Sequence, residues 1–422
     1  MRILSKYFVS YFDIITLAKL NSKNFKDRNQ IITKYISVIY GVIYFIAFLW
    51  LKVNNHWTTV SVPAMFPDYA DLRTVTSAVD CRNNEDYIDE YVSNCDPWSR
   101  PFNYPGIWVT IFHRLNLGTE LTGVLGIIFL LLVALSLSYW CFVALESKLT
   151  LMKLLVFSGF IYSPSIYLLN ERGNVDALIF TLITLTLYLY RNNFKRTAIL
   201  LVTFGSVLKI FPLILLLTIG VRNRSIVIRL LCLLGGTISC LYLVPILPKI
   251  LSNTPSTSDY SFGLITLIGE YFPTNFESQT KIIVTFSLFM GVVSLLFFLT
   301  RNFVFQQNRS RSSHISSLDS HIFIIIWPMF IFIYTTLTSF NYRIVFLVPI
   351  VALLLRFNSN TSIAMASFFM PYVILAMHLG PSSKLLALTL FAATATSTYF
   401  WLGLLCSNRK INSYTEKSEL AN

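Results

Sequence analysis

The feature that most constrains this chain is a succession of apolar runs, most of them close to the length a helix needs to cross a bilayer, about 20 residues. They fall at 36–51, 122–145, 151–168, 175–190, 197–220, 226–247, 282–299, 322–337, 344–355, 363–377 and 385–405. Only 13% of residues are charged, against about 25% in ordinary soluble domains. In lipid a backbone must satisfy its own hydrogen bonds, which favours helices. Barrel strands would alternate over segments of about 10 residues, and no such pattern is present. The expected fold class is therefore all-α, a polytopic membrane protein.

The run at 197–220 contains Lys209 and Pro212. A lysine in the middle of a continuous span is costly, so this run predicts two short helices, 197–208 and 211–220, meeting near Lys209. About twelve transmembrane helices result. The expected organisation is an N-terminal segment at 1–35, a membrane domain at 36–405 with a large loop at 52–121, and a tail at 406–422. No Pro- or Ser-rich linker divides it, and no internal repeat stands out. The first 34 residues carry too many charges for a cleavable signal; residues 7–20 read equally as an interfacial helix or as a tail.

The net charge of +13 does not point to nucleic acid, because basic residues of membrane proteins gather in cytoplasmic loops. Loops 147–153, 191–196, 221–229, 301–320 and 356–362, with both termini, are basic and share one side, provided the fifth run is split at Lys209. The opposite, outer face then collects 52–121, 169–176, Lys209, 248–281, 339–343 and 379–384. These segments hold nearly all the unusual polar residues. Loop 52–121 is acidic although the chain is basic.

Four clusters fall on that face: Asp68-Tyr-Ala-Asp71-Leu-Arg73; Asp96-Pro-Trp-Ser-Arg100-Pro-Phe-Asn103-Tyr104-Pro105; Glu171-Arg172-Gly173-Asn174-Val175-Asp176; and Lys209 with Asn341-Tyr342-Arg343. Cys81 and Cys95 share the large loop and pair only if it faces an oxidising compartment; the residues leave that open. Cys141, Cys232, Cys240 and Cys406 lie in or beside apolar runs and read as core thiols.

The motifs Asp71-Leu72-Arg73, Asp86-Tyr87, Asn103-Tyr104-Pro105, Arg172-Gly173-Asn174-Val175-Asp176 and Lys209-Ile210-Phe211-Pro212 resemble those of membrane glycosyltransferases of the C fold. They are most similar to glycosyltransferase family 87, which uses polyprenol-phosphate sugars. The resemblance covers most of 36–212; beyond it only hydropathy and the Asn341-Tyr342-Arg343 turn match. One departure is Asn84-Glu85 before Asp86, where a glycine is expected. The resemblance implies a C-type fold with a large first outer-face loop. It implies transfer of a hexose or pentose from a polyprenyl-phosphate donor to a lipid or glycan acceptor, with inversion. It also implies no metal, cofactor or nucleotide sugar, and residence in a bacterial cytoplasmic membrane.

Such chemistry needs a carboxylate to take a proton from the acceptor hydroxyl and cations to hold the leaving phosphate. Asp71 is the expected base, with Asp68 second; each also reads as a solvated loop charge or a helix cap, and the two together as a cation site. Arg172 and Lys209 are the expected phosphate holders; the alternative weighed for Lys209 is snorkelling to the interface. Arg343 binds phosphate or anchors the interface. Asn174 and Asp176 contact substrate or cap the helix they open. Arg73, Arg100, Asn103 and Tyr104 complete the expected substrate-binding set. Trp98, Phe102 and Tyr104 stack on a sugar or form an interfacial aromatic belt. The other classes weighed are a transporter or flippase for lipid-linked sugars, expected to show repeated halves and midplane charges, an O-antigen polymerase or ligase, and a non-catalytic assembly protein.

Overall fold

The computed structural model describes residues 25–82, 89–91, 95–254, 261–262, 317–336, 339–357, 360–370, 390–398 and 401. The expected helix at 282–299, the segment 7–20, Asp86-Tyr87 and the tail lie outside these.

Apolar periodicity yields helices almost throughout. They are α1 (Phe25–Val53), α2 (Ala70–Cys81), α3 (Ile107–Arg114), α4 (Thr122–Leu145), α5 (Leu151–Ile161), α6 (Pro164–Glu171), α7 (Asp176–Arg191), α8 (Lys195–Leu208), α9 (Pro212–Arg222), α10 (Ile226–Asn253), α11 (Ser317–Thr336), α12 (Val348–Arg356) and α13 (Asn360–Phe368). A further helical stretch covers 390–398. Two-residue strands Ser261–Phe262 and Ser339–Phe340 pair antiparallel. Among the described residues, five helical segments are long and apolar enough to cross a membrane: Asn29–Val53, Thr119–Leu145, Leu151–Glu171, Ile226–Asn253 and Leu318–Thr335.

The central helix α4 packs against α1, α7 and α12. Helix α1 shows why this packing belongs in lipid. It buries Tyr44, Phe48 and Leu51 but turns Ile39, Val42, Ile43, Ile46 and Trp50 outward. On α10, Leu230, Leu233, Leu234, Ile238 and Leu241 are likewise exposed. A helix apolar on both its packed and its outward face is stable only where the surroundings are apolar too. The chain is a membrane protein.

Two breaks shape the bundle. The split at Lys209 is present: α8 ends at Leu208, Lys209 is extended, and α9 opens on Pro212. The run at 151–168, expected as one helix, is interrupted at Tyr162–Ser163. Pro164 starts α6 at the position where its missing N–H costs nothing.

Polar residues collect at the two ends of the bundle. Helix α7 has Asp176 in its first turn and Arg191 in its last, about 22 Å apart along a helix rising 1.5 Å per residue. At the Arg191 end, Arg191 and Arg356 each bridge Glu146 and Asp319, closing a ring of four charges over α4, α7, α11 and α12. Lys153 joins this end through Ser147 Oγ at 2.9 Å. Among the described residues, parts of the loops 147–153, 191–196, 301–320 and 356–362 thus meet at one end of the fold.

Breaking a buried ion pair by removing one partner costs about 3–5 kcal/mol, whereas exposed pairs contribute up to about 1 kcal/mol. Asp319 is 4% exposed in its side chain, against 54% and 33% for the Lys249–Asp89 pair. Asp319→Ala is therefore expected to lower the melting temperature in detergent clearly more than Lys249→Ala does. Equal shifts would show that the charge ring contributes no more than a surface pair.

Candidate functional site

The opposite end is organised by the way the α6–α7 turn docks on the start of α2. The first N–H groups of a helix lack intrahelical acceptors. Here the Arg172 carbonyl accepts from Asp71 N at 2.9 Å and from Leu72 N at 3.3 Å. The approach is close enough to exclude a side chain at Gly173. Its φ is +58°, and an added Cβ would lie 2.9 Å from Tyr69 Cβ and 3.1 Å from Leu72 Cβ. Asn174 is thereby brought against Asp71.

Asp71 occupies the centre. Its Oδ2 accepts from Asn174 Nδ2 at 2.6 Å and its Oδ1 from Arg100 Nη1 at 3.0 Å. Asn174 Nδ2 also donates to the Tyr104 hydroxyl at 3.2 Å, and Asn174 Oδ1 accepts from Asp176 N at 2.9 Å. Asn174 thus bonds the Asp71 carboxylate and accepts the first N–H of α7 at once, which is the capping role weighed for it. Tyr104 is buried. Burial, reinforced by the Asp71 charge, drives its phenol well above its ordinary value. It therefore keeps its proton at neutral pH and has a hydrogen to donate.

Asp176 is wholly buried between two cations, with Oδ1 2.9 Å from Lys209 Nζ and Oδ2 3.2 Å from Arg343 Nε. Lys209 also lies 5.0 Å from the centre of the Tyr104 ring. Lys209 is therefore turned into the protein and does not snorkel away from it. Trp108 Nε1 donates to the Leu208 carbonyl at 3.1 Å, tying the helix break to α3.

Arg100 comes from the large loop, held to α2 in two ways. Cys81 and Cys95 form a disulfide, which resolves the pairing the sequence left open. The next residue, Asp96, accepts from Thr74 Oγ1 at 2.6 Å, Trp98 N at 2.9 Å, Arg100 Nε at 3.2 Å and Arg100 Nη2 at 3.0 Å. Burial works to raise the Asp96 carboxyl, but the hydrogen bonds from Arg100 and Thr74 outweigh it and hold the group below its ordinary value of 3.8. Farther along the loop, Tyr91, Phe102 and Tyr104 meet edge to face. Asn253 at the end of α10 donates to the carbonyls of Tyr91 and Phe102.

Of the residues the sequence singled out, Asp71, Arg100, Tyr104, Asn174, Asp176, Lys209 and Arg343 converge. Trp98 and Phe102 border this centre, Trp98 with its ring 4.8 Å from the Arg100 guanidinium and Phe102 edge to face with Tyr104, whereas Asp68, Arg73 and Arg172 do not join it through their side chains. Asp68 pairs with Lys52 at 3.1 Å and is 41% exposed; Arg73 Nε bonds the Asp68 carbonyl at 3.3 Å. Asp68 and Asp71 thus face different partners and do not share a ligand position. Arg172 turns to the Pro63 carbonyl at 2.8 Å and to Glu171 at 3.2 Å. With Glu171 Oε1 accepting from Met65 N at 2.8 Å, it pins the segment entering α2. Asn103 is half-buried in the loop before Tyr104. Thr74 was not singled out, and Asp96 was quoted only as part of its motif. Their signal was the i, i+4 spacing of Asp96 and Arg100 beside Cys95.

No protein-family model, curated protein or solved structure matches this chain.

Alanine at φ > 0 costs about 1–2 kcal/mol, and at Gly173 the clash with Tyr69 adds to that. Gly173→Ala is expected to lower the melting temperature, and an unchanged midpoint would mean that the α6–α7 turn can shift freely. Asp96 gives a pH signature. Because its folded value is depressed, its stabilisation is complete above its ordinary range and is lost as pH falls through the folded value. The difference in melting temperature between wild type and Asp96→Asn should be constant above about pH 5 and narrow progressively below it, as pH falls past the ordinary value of 3.8. A difference that narrows already between pH 7 and pH 5 would contradict the assignment.

Proposed function

We propose that this protein is a glycosyltransferase that moves a sugar from a polyprenyl-phosphate donor to an acceptor hydroxyl, with Asp71 as the base. The observation that carries the reading is the setting of Asp71. It is partly accessible, at 14% of its side chain, and it sits beside a cationic pair, Lys209 and Arg343, at one end of a membrane-helix bundle. Of the other carboxylates in this region, Asp176 is wholly buried between two cations and Asp96 is committed to Arg100 and Thr74. Asp68 stands outside on Lys52.

In the reaction, an acceptor hydroxyl gives its proton to Asp71 while its oxygen attacks the anomeric carbon. The bond from that carbon to the phosphate oxygen breaks, and the electron pair leaves with the phosphate. A single displacement inverts the anomeric centre, as in the one-step logic of inverting glycosidases. Lys209 and Arg343 supply positive charge for the departing phosphate, held in place by Asp176. The protonated Tyr104 adds a donor within the same group of residues.

The finer architecture belongs to the same proposal: about twelve membrane helices in a C-type arrangement, with loop 52–121 over the site on the outer face of a cell membrane. The Cys81–Cys95 disulfide supports that side, since disulfides persist in oxidising compartments.

The test is transfer of radiolabelled sugar from polyprenyl-phosphate mannose, glucose or arabinose in membranes holding the full chain. Asp71→Asn is expected to lower the rate by about 10²–10⁴-fold, the range of general-base contributions, while Asp68→Asn stays close to wild type. Inactivity of the wild type with all three donors would sink the enzyme reading and favour transport of lipid-linked sugars. Full activity of Asp71→Asn would remove the base.

A further inference from the structure

Arg100 sits on the carboxylate proposed to take the proton, an arrangement that by itself would hinder a base. A guanidinium presents its donors along a rigid planar fork. It docks a carboxylate with two parallel N–H bonds through either the Nε/Nη2 edge or the Nη1/Nη2 end. When the end docks, both carboxylate oxygens are occupied.

Here the Nε/Nη2 edge is already taken. Nε reaches Asp96 Oδ1 at 3.2 Å and Nη2 reaches Asp96 Oδ2 at 3.0 Å. Nη2 is fixed further by the Ala70 carbonyl at 2.6 Å and by Thr74 Oγ1 at 2.7 Å. Only Nη1 is left for Asp71, and it makes one bond, to Oδ1 at 3.0 Å. The other Asp71 oxygen faces the neutral Asn174 amide. Asp96 itself cannot drift: Thr74 and the Trp98 N–H hold it, and the neighbouring Cys95 is bonded to Cys81 at the end of α2.

We propose that Asp96 is a positioning residue that keeps Asp71 able to accept a proton, by holding Arg100 edge-on so that a single N–H reaches Asp71. The inference rests on the reading of Asp71 as the reacting carboxylate. Without the Asp96 carboxylate, Arg100 has only Asp71 to balance its charge. Nη2 is then held only by neutral acceptors, the Ala70 carbonyl and Thr74 Oγ1, against which the charged Asp71 competes, so that the Nη1/Nη2 end closes on both Asp71 oxygens and displaces Asn174.

The test is a double-mutant cycle on the full chain in detergent, with kcat and KM for donor and acceptor. Asp96→Asn is expected to lower kcat about tenfold or more, within the range a base contributes, with KM changed far less. In an Arg100→Gln background the same Asp96→Asn change should leave kcat unaltered, because the effect of Asp96 on Asp71 runs through Arg100. This second comparison holds even if Asp96→Asn alone folds poorly, since the double variant carries no unpaired guanidinium. A purely structural role predicts that Asp96→Asn costs as much in either background, and that result would overturn the proposal. So would a wild-type kcat for Asp96→Asn.

A substrate-independent arm separates this inference from the enzyme reading. Modification of Asp71 by a water-soluble carbodiimide, followed by mass spectrometry, should be slower in Asp96→Asn than in wild type. It should return to the Arg100→Gln rate in the double variant. If no sugar is transferred by the wild type, the reading of the reaction fails while the labelling still decides whether Arg100 closes on Asp71. Equal labelling of Asp71 in wild type and Asp96→Asn would refute the clamp.

Discussion

The arrangement of this end of the molecule depends on Asp176, a carboxylate with no exposed surface held between Lys209 and Arg343. A charge taken out of water is costly unless it is paired and hydrogen-bonded. Each cation comes from a different irregular element. Lys209 lies in the two-helix break between α8 and α9, and Arg343 in the 3-10 segment Asn341–Leu347 that precedes α12. The pairing therefore demands that α8 stop at Leu208 and that the chain before α12 stay out of regular helix. The breaks that would weaken a simple bundle are what allow three elements to meet on one carboxylate. Asn174 then links the residue that carries this pairing to Asp71, its side chain bonding the Asp176 backbone N–H and the Asp71 carboxylate.

Much of this was legible in sequence where one residue contradicted its surroundings. Lys209 inside an apolar run, followed by Pro212, forced a break that the structure contains. Helix α4 matches its predicted run at both ends because no charged residue or proline interrupts it. The grouping of basic loops is visible in the Glu146–Arg191–Asp319–Arg356 ring. What could not be read were the choices a charged side chain makes among equal partners. Arg172 and Asp68 stand beside Asp71 in sequence or in space, yet Arg172 goes to the Pro63 carbonyl and Asp68 to Lys52. Those outcomes depend on the entry path of the chain into α2. The break at Tyr162–Ser163 was hidden for a different reason: apolar and aromatic residues continue on both sides of Pro164, so hydropathy does not register it.

Taken together, the ion pairs at this end balance. Asp71, Asp96 and Asp176 face Arg100, Lys209 and Arg343. A site that is neutral before its ligand arrives does not attract a lipid phosphate by surplus charge. On the proposed reading it has to share cations already engaged, with the phosphate competing with Asp176 for Lys209 and Arg343. Such sharing suits a leaving group, which has to be stabilised as it departs and then released. It also assigns distinct work to the three carboxylates. On the proposed reading Asp176 sets how firmly the phosphate is held, Asp96 restrains Arg100, and Asp71 keeps an oxygen for the acceptor's proton. Substituting any one of them therefore alters the partners of a cation as well as the charge it carries. Single-residue losses at this end should for that reason be read in pairs with their cations, since the energy of one contact is not separable from the one beside it.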